Sequence, residues 1–121
     1  MENLKERTFK FSNEIIRFVE ILPENKASKV VSFQLLKSAT SVGANYRAAK
    51  RARSDKEFIS KINIVLEEVD ESLYWLEIIK EQQWIEESLL EKLIKESDEL
   101  TAIFTTTLIT MNKKVNNTSN F

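Results

Sequence analysis

The chain has no cysteine and no histidine, and its 121 residues include one glycine and one proline. Without cysteine there is no disulfide framework, no thiol nucleophile and no thiolate metal site. Without histidine the usual nucleophile–base pairs lack their base, and a di-iron bundle, which needs inward-facing Glu-x-x-His motifs, cannot be built. So little glycine and proline leaves scant material for tight turns, which favours long helices over a β-rich fold. No apolar run approaches the roughly 18 residues of a membrane span, and the N-terminal MENLKERTFKF is charged throughout, without the apolar centre of a secretory signal. A cytoplasmic location is the expectation. Gly-rich phosphate loops and dinucleotide fingerprints are missing as well. An excess of one charge is also missing: 18 Lys and Arg face 19 Asp and Glu, a net charge of −1 that argues against a globally basic nucleic-acid binder. The chain reads as non-enzymatic, with no cofactor and no metal.

What is present is periodicity. With 42% hydrophobic and 31% charged residues, the composition suits one globular domain. Leu4 to Leu22 carries Phe11, Ile15, Phe18, Val19 and Leu22 at helical steps. Pro23 closes that helix, because the residue before a proline avoids the α region, and Asn25 or Ser28 can cap the next. The second helix, to about Arg51, turns Val31, Leu35, Val42 and Tyr46 to one face. Small residues Ser38, Ala39, Ser41, Gly43 and Ala44 along it allow a neighbouring helix to approach closely. Ser54-Asp55-Lys56-Glu57 has the form of a capping box, opening a third helix to about Glu81. Its seam reads Ile59, Ile62, Leu66, Val69, Leu73 and Leu76. After a short connection with Trp84 and Ile85 tucked over the bundle end, a fourth helix starts near Glu86 to Ser88, with Ser88 to Glu91 as a second capping box. It buries Leu90, Leu93, Leu100, Phe104, Leu108 and Met111. The fold expected is all-α, an antiparallel up-down-up-down four-helix bundle over residues 1–115, with 116–121 a disordered tail.

Two surface features stand out. Up to Leu66 the chain has 13 basic and 7 acidic residues, and from Glu67 onward 5 and 12. Positive charge is densest at Arg47, Lys50, Arg51, Arg53 and Lys56, with Tyr46 beside them. Such a corner fits phosphate-dominated, sequence-independent nucleic-acid binding, the tyrosine stacking on a base; the plainer alternatives are a solvated corner paired with acids of the third or fourth helix in the same or a neighbouring subunit, and a core tyrosine in phase with Val42. The second feature is Ile64, Trp75 and Ile78, about 150° from the seam of the third helix, which reads as a contact between subunits. The carboxylates Glu67, Glu68, Asp70, Glu71 and Glu77 read as a solvated face.

The stretch QLLKSATSVGANYRAAKRARSDKEF, Gln34 to Phe58, followed by the apolar helix to EVDESLYWLEIIKE, closely resembles a bacterial four-helix-bundle family known from proteins encoded by intervening sequences of large-subunit ribosomal RNA genes. The resemblance covers all but about the last ten residues. Its relatives commonly have proline or glycine near Gly43, asparagine at Asn45, and a match to Ser54, Lys56, Glu57 and Phe58. Where many carry an acid and a glycine, this chain has Ala48, Ala49 and Lys50, which makes the corner more basic. The resemblance implies a ring of subunits, a homopentamer, and a link to RNA or DNA. Related accessory proteins of diversity-generating retroelements look like basic pentamers that bind nucleic acid and a reverse transcriptase. The function expected is a nucleic-acid-binding or ribonucleoprotein accessory role. The alternative is a structural adaptor that docks a protein partner without nucleic acid.

Overall fold

The computed structural model describes residues 3–119, which form four helices: α1 (Leu4–Val19), α2 (Lys26–Lys50), α3 (Asp55–Gln82) and α4 (Glu87–Ser119). Polar side chains take up the free N–H groups at three of the starts. Asn3 accepts from the Lys5 N–H and Asn25 from that of Ser28, both at 2.8 Å, and Ser54 accepts from Glu57 at 3.1 Å. The Glu57 carboxylate reaches back to the Arg53 N–H at 3.1 Å, one residue beyond the usual partner of a capping box. Ser88 plays no such part: α4 already starts at Glu87, and Glu91 instead pairs with Lys80 of α3 at 2.7 Å.

Helix ends follow equally local causes. Pro23 excludes Leu22 from the α region, so α1 stops at Val19 and the chain tightens, with Ile21 and Leu22 donating to Phe18 and Val19 carbonyls. Leu22, expected within the helix, still reaches the core from that turn. Helix α3 ends on Gln83 at φ 57°, the left-handed conformation that lets its N–H bond to the Lys80 carbonyl. Helix α4 is helical to Ser119, into the segment from Asn116 whose composition suggests a tail; residues 120–121 lie outside the described residues.

Short connections make sequential helices antiparallel neighbours, so α1 packs on α2, α2 on α3 and α3 on α4, and the bundle is of the up-down-up-down kind. Between α1 and α4 the contact is slight, and there Arg7 donates to Glu96 at 2.8 and 2.6 Å and lies 3.8 Å from Glu99. The core joins Phe11, Ile15 and Phe18 to Leu35, Val42 and Tyr46, then to the apolar stripes of α3 and α4. On α3 that stripe is Ile62, Val65, Val69, Ser72, Leu76 and Ile79, while Ile59, Leu66 and Leu73 are only partly buried. The apolar pattern alone misplaces it because Ser72 is polar. Its hydroxyl meets Ser38 Oγ at 2.9 Å and donates to the Glu68 carbonyl at 2.8 Å, which lets α3 settle toward the small-residue face of α2.

An adjoining face of α2 takes α1. Ser12 donates to the Ala39 carbonyl at 2.9 Å, and Gly43 lies against the Thr8 backbone. A methyl group at Gly43 would sit 3.5 Å from the Thr8 carbonyl and 3.6 Å from Ser12 Oγ, ordinary contacts. Gly43→Ala is therefore expected to stabilise the protein by up to about 1 kcal/mol through helix propensity. Gly43→Leu should destabilise it by about 1–3 kcal/mol through overpacking. Urea midpoints moving in opposite directions would bear this out; an alanine variant weaker than its parent would contradict it.

Candidate nucleic-acid interface

An up-down-up-down bundle brings the N-termini of α1 and α3 and the C-termini of α2 and α4 to one end. Here that end collects Lys5, Arg47, Lys50, Arg51, Arg53, Lys56, Lys113 and Lys114, against Glu6, Asp55 and Glu57. Neighbouring contacts fix the arrangement. Lys5 of α1 shares a notch of about 110 Å³ with Arg47, Lys50 and Arg51. Met111 of α4 shares a wider hollow with Lys50, Arg53, Asp55 and Phe58, and Lys114 lies 3.4 Å from Asp55. Arg47 and Lys50 stand in the last turn of α2, where the helix dipole favours positive charge.

The five basic residues expected from sequence, Arg47, Lys50, Arg51, Arg53 and Lys56, are all exposed, and none forms an ion pair within 4.0 Å among the described residues. Pairing with acids of the third or fourth helix of the same chain is thus missing from these five among the described residues. Lys5, Lys113 and Lys114 join the cluster from the far ends of the sequence. Only the antiparallel topology reveals them.

Tyr46 stands elsewhere. It is 8% exposed and its ring lies 5.7 Å from that of Phe104, with burial pushing its hydroxyl pKa up. It falls in phase with Leu35, Ala39 and Val42, so it belongs to the core and presents no face for a base. The exposed aromatic beside the cations is Phe9 of α1, 56% exposed, with the Arg47 guanidinium 5.2 Å over its ring. Sequence reasoning had no reason to single it out, since it is off the apolar stripe of α1 and distant in sequence from Arg47.

The stripe assigned to a subunit contact is partly occupied within the chain. Ile64, Trp75 and Ile78 are half-buried, and Trp75 and Ile78 pack against the core. The true buried arc of α3 lies closer to them than the expected seam does. Trp75 also buries its indole N–H without an acceptor. Tyr74, edge-on to Trp75 at 5.0 Å, is the α3 aromatic that stands free, at 57% exposure.

Among the carboxylates, Glu67, Asp70, Glu71 and Glu77 are exposed, and no group of three acidic side chains among the described residues is close enough to hold a metal ion. Glu68 is half-buried, and its pKa is raised first by burial and then by Glu71, with Lys37 opposing. The folded chain therefore holds that proton more tightly than the unfolded one. The resulting stabilisation is full below the ordinary glutamate range and is lost as pH rises through the raised value. Glu68→Gln should flatten this part of the stability curve and be the more stable protein at neutral pH. Urea midpoints across the acid range measure it, and a slope unchanged by the substitution would contradict the assignment.

Among the described residues no helix is long and apolar enough to cross a membrane. Residues 3–106 match the family model described as 23S rRNA-intervening sequence protein. No curated protein matches the chain. The bundle is similar to a crystal structure, at 1.70 Å resolution, of a protein of unknown function from the S23 ribosomal protein family of Bacteroides thetaiotaomicron. The two are 32% identical, with a TM-score of 0.81 over 88% of this chain and 98% of that one.

Proposed function

This chain belongs to the 23S rRNA-intervening sequence protein family, and from that premise and its basic end we propose a non-catalytic accessory protein that binds nucleic acid through the phosphate backbone. One observation carries the reading: the four helices and the connection between α2 and α3 contribute eight cations to one end of the bundle, and the five from Arg47 to Lys56 have no carboxylate partner within 4.0 Å among the described residues. Arginine and lysine in such a cluster contact phosphates and position a strand without reading its bases. Repetition strengthens it. Copies assembled in a ring, a homopentamer by the family resemblance, multiply weak patches into avidity.

A second reading, a docking platform for a protein partner, is favoured by Val30 and Phe33, which stand exposed on the outer side of α2. Gel-shift titration with RNA and DNA of unrelated sequences separates the two. Backbone binding predicts comparable shifts for all sequences at low salt. No shift with any of them leaves the docking platform. Light scattering of the pure protein tests the ring, which requires a mass several times the 14.1 kDa of one chain.

A further inference from the structure

Arg47 borders two hollows. On one side it completes the notch with Lys5, Lys50 and Arg51. On the other it closes an apolar groove of about 270 Å³ between α1 and α2, lined also by Phe9, Ile16, Thr40, Gly43 and Ala44. Phe9 and Ile16 are 56% and 41% exposed there, and Lys26–Lys50 contains no acidic residue. The floor of the groove lies low because glycine, alanine and threonine bring little bulk to it. A flat ring can therefore lie close to the α2 backbone.

We propose that notch and groove together form a site for one unpaired nucleotide, its phosphate among Lys5, Arg47, Lys50 and Arg51 and its base against the Phe9–Arg47 pair. The inference rests on the backbone-binding reading above and adds a preference for single strands. A base in a duplex is stacked and paired and cannot enter, whereas a splayed base offers a π-face to phenylalanine and guanidinium alike. The hydroxyl hydrogens that line the groove, and one of the Asn13 amide hydrogens, are already taken by backbone carbonyls. The Thr40 hydroxyl already donates to the Leu36 carbonyl at 2.6 Å, Ser12 to Ala39 at 2.9 Å, and the Asn13 amide to Phe9 at 2.9 Å. Stacking there is tolerant of sequence. The adjoining four-cation notch selects this occupant over an apolar segment, because whatever fills the groove must bring negative charge beside it, and a nucleic acid does so at every residue.

Two variants test the site in the full-length protein, Phe9→Leu, which keeps apolar bulk but removes the π-face, and Ala44→Leu, which fills the groove from an exposed position. Anisotropy is read with a short labelled single-stranded RNA and with a perfectly paired RNA duplex of the same length. Each variant is expected to weaken single-strand binding about tenfold or more, the loss of one base stack, and to leave duplex binding unchanged. Equal effects on both probes, or none on either, would overturn the nucleotide site while leaving the backbone reading intact. A fall in mass by light scattering in Phe9→Leu would also overturn it, since the groove would then hold a second copy of the chain. Failure of the parent to bind either RNA removes the backbone reading and this inference with it.

Discussion

Changing Arg47, Lys50 and Arg51 together to glutamine is expected to weaken nucleic-acid binding by on the order of a hundredfold or more, at roughly 1 kcal/mol per lost phosphate contact. All three lie on the last turn and a half of α2 or at its cap, exposed and without ion pairs among the described residues. Their removal breaks no internal salt bridge. Glutamine matches arginine and lysine closely in helix propensity, and the Arg47–Phe9 contact is worth only about 0.5–1 kcal/mol at an exposed site. Helicity and urea midpoint should therefore stay close to those of the parent while binding collapses. A variant that binds as the parent does would move the phosphate contacts away from the end of α2.

Tyr46→Ala is expected to act on the opposite quantity. Removing a buried ring that packs 5.7 Å from Phe104 leaves a cavity where α2 faces α4 across the core, at a cost of about 3 kcal/mol. Such a loss is a large share of the stability of a chain this size. Nucleic-acid affinity per folded molecule should hardly change, because the ring offers no surface to a base. Tyr46→Phe keeps the packing and should cost little. An alanine variant as stable as its parent, yet deficient in single-strand binding, would return the stacking role to Tyr46.

The two tyrosine readings show where one sequence speaks plainly and where it does not. Adjacent to Arg47, Tyr46 looks like part of the basic corner. One helical step separates buried from exposed, and the phase set by Leu35 and Val42 decides for the core. The four helices were legible because apolar residues recur at helical steps over long spans, and their ends because Asn25, Ser54 and Pro23 act locally. Less visible was the buried arc of α3: Ser72 interrupts the apolar pattern, and its bonds to Ser38 and to the Glu68 carbonyl explain how a polar residue is fully buried there. That shift of arc also explains why Trp75 and Ile78 are half-covered by their own chain.

The basic end was legible only in part for a different reason. Arg47 to Lys56 are clustered in sequence, so their charge is obvious at once. Lys5, Phe9, Lys113 and Lys114 come from the two ends of the chain and meet that cluster only because four antiparallel helices return to the same place. Fold class predicts this meeting in outline. Which side chain stands over which, as Arg47 does over Phe9, depends on helix rotations that periodicity fixes too coarsely.

The most direct measurement of backbone binding is the salt dependence of the parent protein's affinity for single-stranded RNA, followed by anisotropy over a series of salt concentrations. Each phosphate neutralised on a single strand contributes about −0.7 to the slope of log affinity against log salt. Engagement of five or more of the cations at the basic end predicts a slope of about −3.5 or steeper, the same for RNAs of unrelated sequence. A slope near zero, or no binding at the lowest salt, would contradict it.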